Sequence, residues 1–166
     1  MPAVGLILFS AQQTGALWSD TETLPGATIT AGTLDIGVGA GSFTLGSFGQ
    51  TGLAVGGYSQ TPLTVKNTGD VPTRYRLTNV TQSDAALPLT LTVWEVANES
   101  ACPASGDPTG AATQLYDGNM IGASTELRPA LQAGASTVLC LRGTVGTGAG
   151  GGLASTTTFT FDASQV

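Results

Sequence analysis

The feature that most constrains this chain is a period of two. From Tyr58 onward, short segments alternate apolar and polar residues, with Gly, Pro, Asn or Asp clustered between them. Successive side chains of an extended strand point to opposite faces, so such alternation writes one buried face and one solvated face. Tyr58 to Asn67 carries Leu63 and Val65 and ends in the turn Asn67-Thr68-Gly69-Asp70. Thr73 to Val80 puts Tyr75 and Leu77 on one face and Arg74 and Arg76 on the other. Leu87 to Val96 sets Leu89, Leu91, Val93 and Glu95 against Thr90, Thr92, Trp94 and Val96. Ser136 to Val145 sets Val138, Cys140 and Arg142 against Leu139 and Leu141, and Ser155 to Ala163 closes the chain with Phe159 and Phe161 inward. Upstream, Thr28 to Val38 reads as a strand with a register shift near Gly32, as a bulge allows, and Ser42 to Phe48 as a short one. Between Ala97 and Gly122 the reading is a long loop with a brief strand at Gln114 to Tyr116 and a tight turn at Asp117-Gly118-Asn119.

About eight strands with turn signals between them predict an all-β fold, a two-sheet jelly-roll-like sandwich. The absence of a helical period agrees with the composition. Gly accounts for 24 of 166 residues and lowers helix propensity, while Thr and Val fit a pleated surface. A chain of this length holds one domain able to bury its own core. The expected division is residues 1–15, an N-terminal strand and linker, and residues 16–166, the sandwich.

The net charge is −6, and the five basic residues, Lys66, Arg74, Arg76, Arg128 and Arg142, are scattered. This argues against nucleic acid and anionic membrane surfaces, which need a basic face. The two cysteines, Cys102 and Cys140, read as a disulfide if the chain is secreted, with two buried thiols or a metal pair as alternatives. With no histidine in the chain, the pair cannot complete a four-ligand zinc site by itself.

Ahead of the sandwich stands the most apolar run in the sequence, Ala3 to Phe9, followed by the polar stretch Ser10 to Thr14. The run is too short to span a bilayer, which takes roughly 20 apolar residues as a helix. A signal-peptide core is one reading, but no Lys or Arg precedes it. As a strand it is apolar on both faces, with Val4, Leu6 and Leu8 opposite Ala3, Ile7 and Phe9. Burying its five large side chains is worth on the order of 8–15 kcal/mol gross, at about 1.5–3 kcal/mol each. Inserted in its own domain it gives a monomer; inserted in the next copy it gives head-to-tail growth.

The pairing of GALWSDTETLPGATITAGTLDIGV with the terminal TTTFTFDASQ, and the segment LTVKNTGDVPTRYRLT between them, resembles the TasA, camelysin and SipW-dependent group of exported bacterial proteins. The matching motifs are Leu17-Trp18-Ser19-Asp20, Thr28 to Ile36, and Leu63 to Thr78. The likeness covers the whole chain, with its strongest motifs at both ends, but Ala97 to Glu126 matches no pattern of the group, and the cysteine pair departs from TasA. The resemblance implies a jelly roll outside the cell, and fibres in which an extended N-terminal donor strand completes the sheet of the next copy. The donor residues would be Ala3, Val4, Leu6, Ile7, Leu8 and Phe9.

Catalytic readings find little support. Without histidine there is no HExxH and no Ser-His pair. Asp20 and Glu22 read as a solvated edge, and Lys66 as a base has no motif behind it. Gly146 to Gly152 lacks the Lys-Ser/Thr of a phosphate loop, and the spaced acids of a calcium loop are missing. Trp18 and Trp94 read as core or interface aromatics. Asn79-Val80-Thr81 and Asn98-Glu99-Ser100 are formal glycosylation acceptors, though in a bacterial protein chance is the better explanation. The expectation is therefore a non-enzymatic structural subunit of an extracellular, cell-surface filament. It has no cofactor, no metal and no membrane span in the mature form, and its partners are copies of itself. The competing expectation is a monomeric cell-surface binding domain with a self-complementing N-terminal strand.

Overall fold

The computed structural model describes residues 19–23, 32–36, 53–149 and 155–166. The described residues form eight strands: β1 (Ser19–Thr23), β2 (Gly32–Ile36), β3 (Tyr58–Asn67), β4 (Thr73–Gln82), β5 (Leu89–Val96), β6 (Thr113–Asn119), β7 (Ser136–Val145) and β8 (Thr157–Gln165). They form a three-stranded sheet, β1-β8-β4, and a five-stranded sheet, β2-β3-β7-β5-β6. All ladders are antiparallel except β2 with β3, which is parallel. With β2 set aside, the orders 1-8-4 and 3-7-5-6 are those of a jelly roll.

The remaining jelly-roll position, beside β4, is taken by residues 122–131 in irregular form. The backbone N–H groups of Gly122, Thr125, Arg128 and Leu131 donate to the carbonyls of Val80, Leu77, Tyr75 and Thr73. The Thr73 N–H returns a bond to the Leu131 carbonyl. This segment advances three residues while β4 advances two, or three across the β4 bulge between Leu77 and Asn79. It therefore carries no alternation that a sequence could display.

The core lies between the sheets, and the period of two selects it. Leu63 and Val65 of β3, Tyr75 and Leu77 of β4, Leu91 and Val93 of β5, Leu139 and Leu141 of β7, and Phe159 and Phe161 of β8 are all buried. After the β4 bulge the inward position falls on Val80 instead of Asn79, since one extra residue swaps the faces.

Residues 97–122 differ from the expected loop. They hold a 3-10 turn, Glu99–Ala101, and the seven-residue strand β6. Asp117, Gly118 and Asn119 are not a turn. They pair with Thr92, Leu91 and Thr90 inside β6. The reversal comes next, where Ala123 N–H donates to Met120 carbonyl and Gly122 takes a positive φ of 75°. Glycine is suited to that third position of a turn because it has no Cβ. The signal in β6 is hidden by a bulge between Val93 and Trp94, which breaks the alternation at Leu115 and Tyr116.

Candidate functional site: the sheet edges and the disulfide-pinned flap

The expected donor strand, Ala3, Val4, Leu6, Ile7, Leu8 and Phe9, with its linker and Trp18, lies outside the described residues. The described chain begins with β1, the outermost strand of the three-stranded sheet, in register with β8 from Ser19 opposite Ser164 to Thr23 opposite Thr160. The apolar run thus precedes a strand that is terminal in its sheet among the described residues. The ten residue steps from Phe9 to Ser19 reach about 35 Å at most when extended. At the other edge of this sheet, β4 is occupied by residues 122–131. In the five-stranded sheet β6 is terminal and largely exposed.

The outer face of the five-stranded sheet carries the second feature. Residues 97–112 fold back over it as a flap. Cys102, at the start of the flap, is joined by a disulfide to Cys140 of the central strand β7. Val96, Ala101 and Val138 pack with the two cysteines into a small separate core, and Trp94 leans against it. Trp94 and Cys140 are direct cross-strand neighbours. Val96 and Val138 stand on the same face one pair further on, so the alternation of β5 and β7 writes this second core as surely as the first.

Arg142, two residues beyond Cys140, clamps the rest of the flap. Its Nε donates to Gln60 Oε1 at 2.6 Å, its Nη2 to the Gly106 carbonyl at 2.6 Å, and its Nη1 to Asp107 Oδ1 at 3.0 Å. The guanidinium lies over the Tyr58 ring at 4.6 Å and the Trp94 ring at 5.0 Å. Gln60 in turn donates to the Pro103 and Gly106 carbonyls, and the Gly106 N–H donates to the Tyr58 hydroxyl oxygen. The Arg142 side chain is only 15% exposed, whereas that of Asp107 is 88% exposed. Solvent screens the ion pair, so the carbonyl, amide and ring contacts do most of the holding. The donors of this cluster that face the flap are spent on the flap itself, Arg142 Nη2 and Gln60 Nε2 on its backbone carbonyls and Arg142 Nη1 on the Asp107 carboxylate. The cluster's chemistry is that of a fastening.

Inside the sandwich, Arg128 on the edge segment reaches across to Glu95 of β5 and ties the two layers together. The Tyr75 hydroxyl is buried beside Thr137 and Arg128 without a hydrogen bond of acceptable geometry to either. Burial, with a contribution from the Glu95 charge, pushes its ionisation well above the ordinary tyrosine range. Asn67 is fully buried and fully used. Its Nδ2 donates to the Val71 and Leu131 carbonyls, and its Oδ1 accepts from Gly69 N–H. That network shapes the turn expected at Asn67-Thr68-Gly69-Asp70.

The other candidates are dispersed. Asp20 and Glu22 stand opposite Ala163 and Phe161 in the β1–β8 ladder. Lys66 is exposed, opposite Ser136 on β7 and Asp35 on β2. Among the described residues, no three Cys, Asp or Glu side chains are grouped as a metal would require, and no helix is long and apolar enough to cross a membrane. Sequence reasoning did not find the Arg142 clamp. The available signal was the shared face of Cys140 and Arg142 on β7, with Gln60 of β3 opposite Arg142 and Tyr58 one pair along on the same face. No protein-family model matches the chain, and no curated protein matches it.

Proposed function

We propose that the chain is the structural subunit of an extracellular, pilus-like or biofilm-matrix filament. In this reading Ala3 to Phe9 inserts as a strand into the next copy and residues 10–15 act as the tether. The observation that carries it is the place of β1. A run apolar on both faces feeds, through a polar stretch, into the outermost strand of a sheet, from which a strand can reach a neighbouring molecule. Strand addition uses main-chain hydrogen bonds for affinity and alternate side chains for specificity, and a head-to-tail contact propagates without closing. Two further observations support export and a structural role. A disulfide persists in oxidising compartments, and a sequence without histidine offers no ordinary proton shuttle. The resemblance to the TasA and camelysin group points the same way.

The test is deletion of residues 1–11 from the secreted protein, followed by electron microscopy and circular dichroism. The expected result is loss of filaments with the sandwich still folded. Filaments that persist after the deletion overturn the donor-strand reading. A deletion that unfolds the domain favours a strand that completes its own sandwich, and hence a monomeric surface domain.

A further inference from the structure

We infer that Asn98 is an acceptor for an N-linked glycan on the folded protein, and that Asn79, the other asparagine in an Asn-x-Ser/Thr context, is not. The inference concerns the flap and is independent of polymerisation. Both contexts are equivalent in sequence, and the fold separates them. Asn79 lies in β4, which is paired with β8 on one side and hydrogen-bonded by residues 122–131 on the other. The middle residue of its triplet, Val80, is fully buried in the sandwich core. An enzyme that must draw this triplet into its own groove would have to strip out a strand that is hydrogen-bonded on both sides.

Asn98 is placed differently. Residues 97–100 are all exposed, including the middle residue Glu99. The triplet forms the cap and first turn of the 3-10 segment at the root of the flap. Asn98 Oδ1 accepts from the Ala101 N–H at 3.1 Å and from the Ser100 hydroxyl at 2.6 Å. Two donors converging on one atom fix which side of the amide is oxygen. Asn98 is exposed, and its Nδ2 has no hydrogen-bond partner among the described residues. Capping needs only the oxygen and glycosylation only the nitrogen, so the modified residue keeps its cap. The disulfide at Cys102 and the Thr64 to Glu99 hydrogen bond, at 2.5 Å, anchor the turn on both sides without covering it.

The donor would be an oligosaccharide on a lipid diphosphate, presented by an oligosaccharyltransferase. Asn98 Nδ2 forms a bond to C1 of the first sugar as the C1–O bond to the lipid diphosphate breaks. The diphosphate departs with the electron pair, and one amide proton passes to a carboxylate of the transferase. The folded, oxidised full chain is incubated with a single-subunit oligosaccharyltransferase and lipid-linked chitobiose, then read by intact mass and glycopeptide sequencing. The expected product gains one glycan, at Asn98. Addition is abolished by Asn98→Asp, which retains the capping oxygen but not the nucleophile, and is unchanged by Asn79→Gln. Circular dichroism confirms that the Asn98→Asp variant is folded. Addition at Asn79 in the folded chain overturns the inference, as does a folded chain left unmodified while the reduced, unfolded chain is glycosylated.

Discussion

Breaking the Cys102–Cys140 bridge is expected to lower the stability of the sandwich by about 4 kcal/mol. The bond spans 38 residues. The chain-entropy relation for a closed loop of that length gives roughly 13 cal/mol/K, or about 4 kcal/mol at room temperature. That corresponds to about a thousandfold change in the folding equilibrium. The native state itself changes little on reduction. The two sulfurs stay in their small apolar cluster, and the Arg142 clamp still holds the flap. A domain of ordinary stability, about 5–15 kcal/mol, therefore stays folded with its thiols reduced. Because Cys102 and Cys140 are almost wholly buried, reductant reaches them slowly in the native state, so the reduced protein is best prepared by refolding in reductant. Urea titrations of the oxidised and reduced forms, followed by far-UV circular dichroism, give the difference. The reduced form should also show the larger denaturant slope, since its unfolded chain exposes more surface. A difference below about 1 kcal/mol, with equal slopes, would refute the account. It would mean that the unfolded chain already keeps residues 102 and 140 close together.

Arg142→Met removes the clamp, including the guanidinium over the Tyr58 and Trp94 rings, while keeping an apolar side chain of similar length. It should cost about 1–3 kcal/mol and accelerate hydrogen exchange in residues 103–107 before any other part of the sheet, whereas Asp107→Asn should stay within about 0.5 kcal/mol. Leu141→Ala, in the central strand and fully buried, should lower stability by about 2–5 kcal/mol in the same urea assay. Tyr75→Phe should be neutral or slightly stabilising, because the hydroxyl it removes is buried without a partner; a loss above about 1.5 kcal/mol would reveal a hydrogen bond there. The same residue sets an alkaline limit. Its ionisation lies above the ordinary value of 10.0 in the folded chain, so the unfolded chain releases that proton first. Its contribution is intact below about pH 10 and declines above it, and the Phe variant should lack this part of the decline in thermal melts across pH.

The all-β class and most of the core were legible because alternation is a direct image of the pleat. The bounds of β3 and β7 coincide with the alternating runs, and Tyr75, Leu77, Phe159 and Phe161 stand inside as their spacing demands. Features that break the period were not legible. The β5–β6 bulge conceals β6, residues 122–131 pair along β4 three residues at a time, and the parallel addition of β2 to β3 leaves no local mark. The flap was legible only in half. Two cysteines signal a tie between its root and β7. The Arg142 contacts depend on which strands become neighbours, and that is settled by the whole topology.

Strand β7 buries four consecutive residues, Val138 to Leu141, two toward each of two cores. Across these four positions hydrophobicity is ambiguous about register, because a slip by one residue exchanges one apolar set for another; the penalty falls on Arg142, which the slip would turn into the sandwich. The cysteine removes that ambiguity. Only one parity turns Cys140 outward to meet Cys102; in the slipped register it would enter the sandwich, out of the flap's reach. The oxidised bond thus acts as a certificate of correct strand alignment. The fraction of molecules with free thiols after folding in an oxidising buffer should count those whose central strand was laid down wrongly.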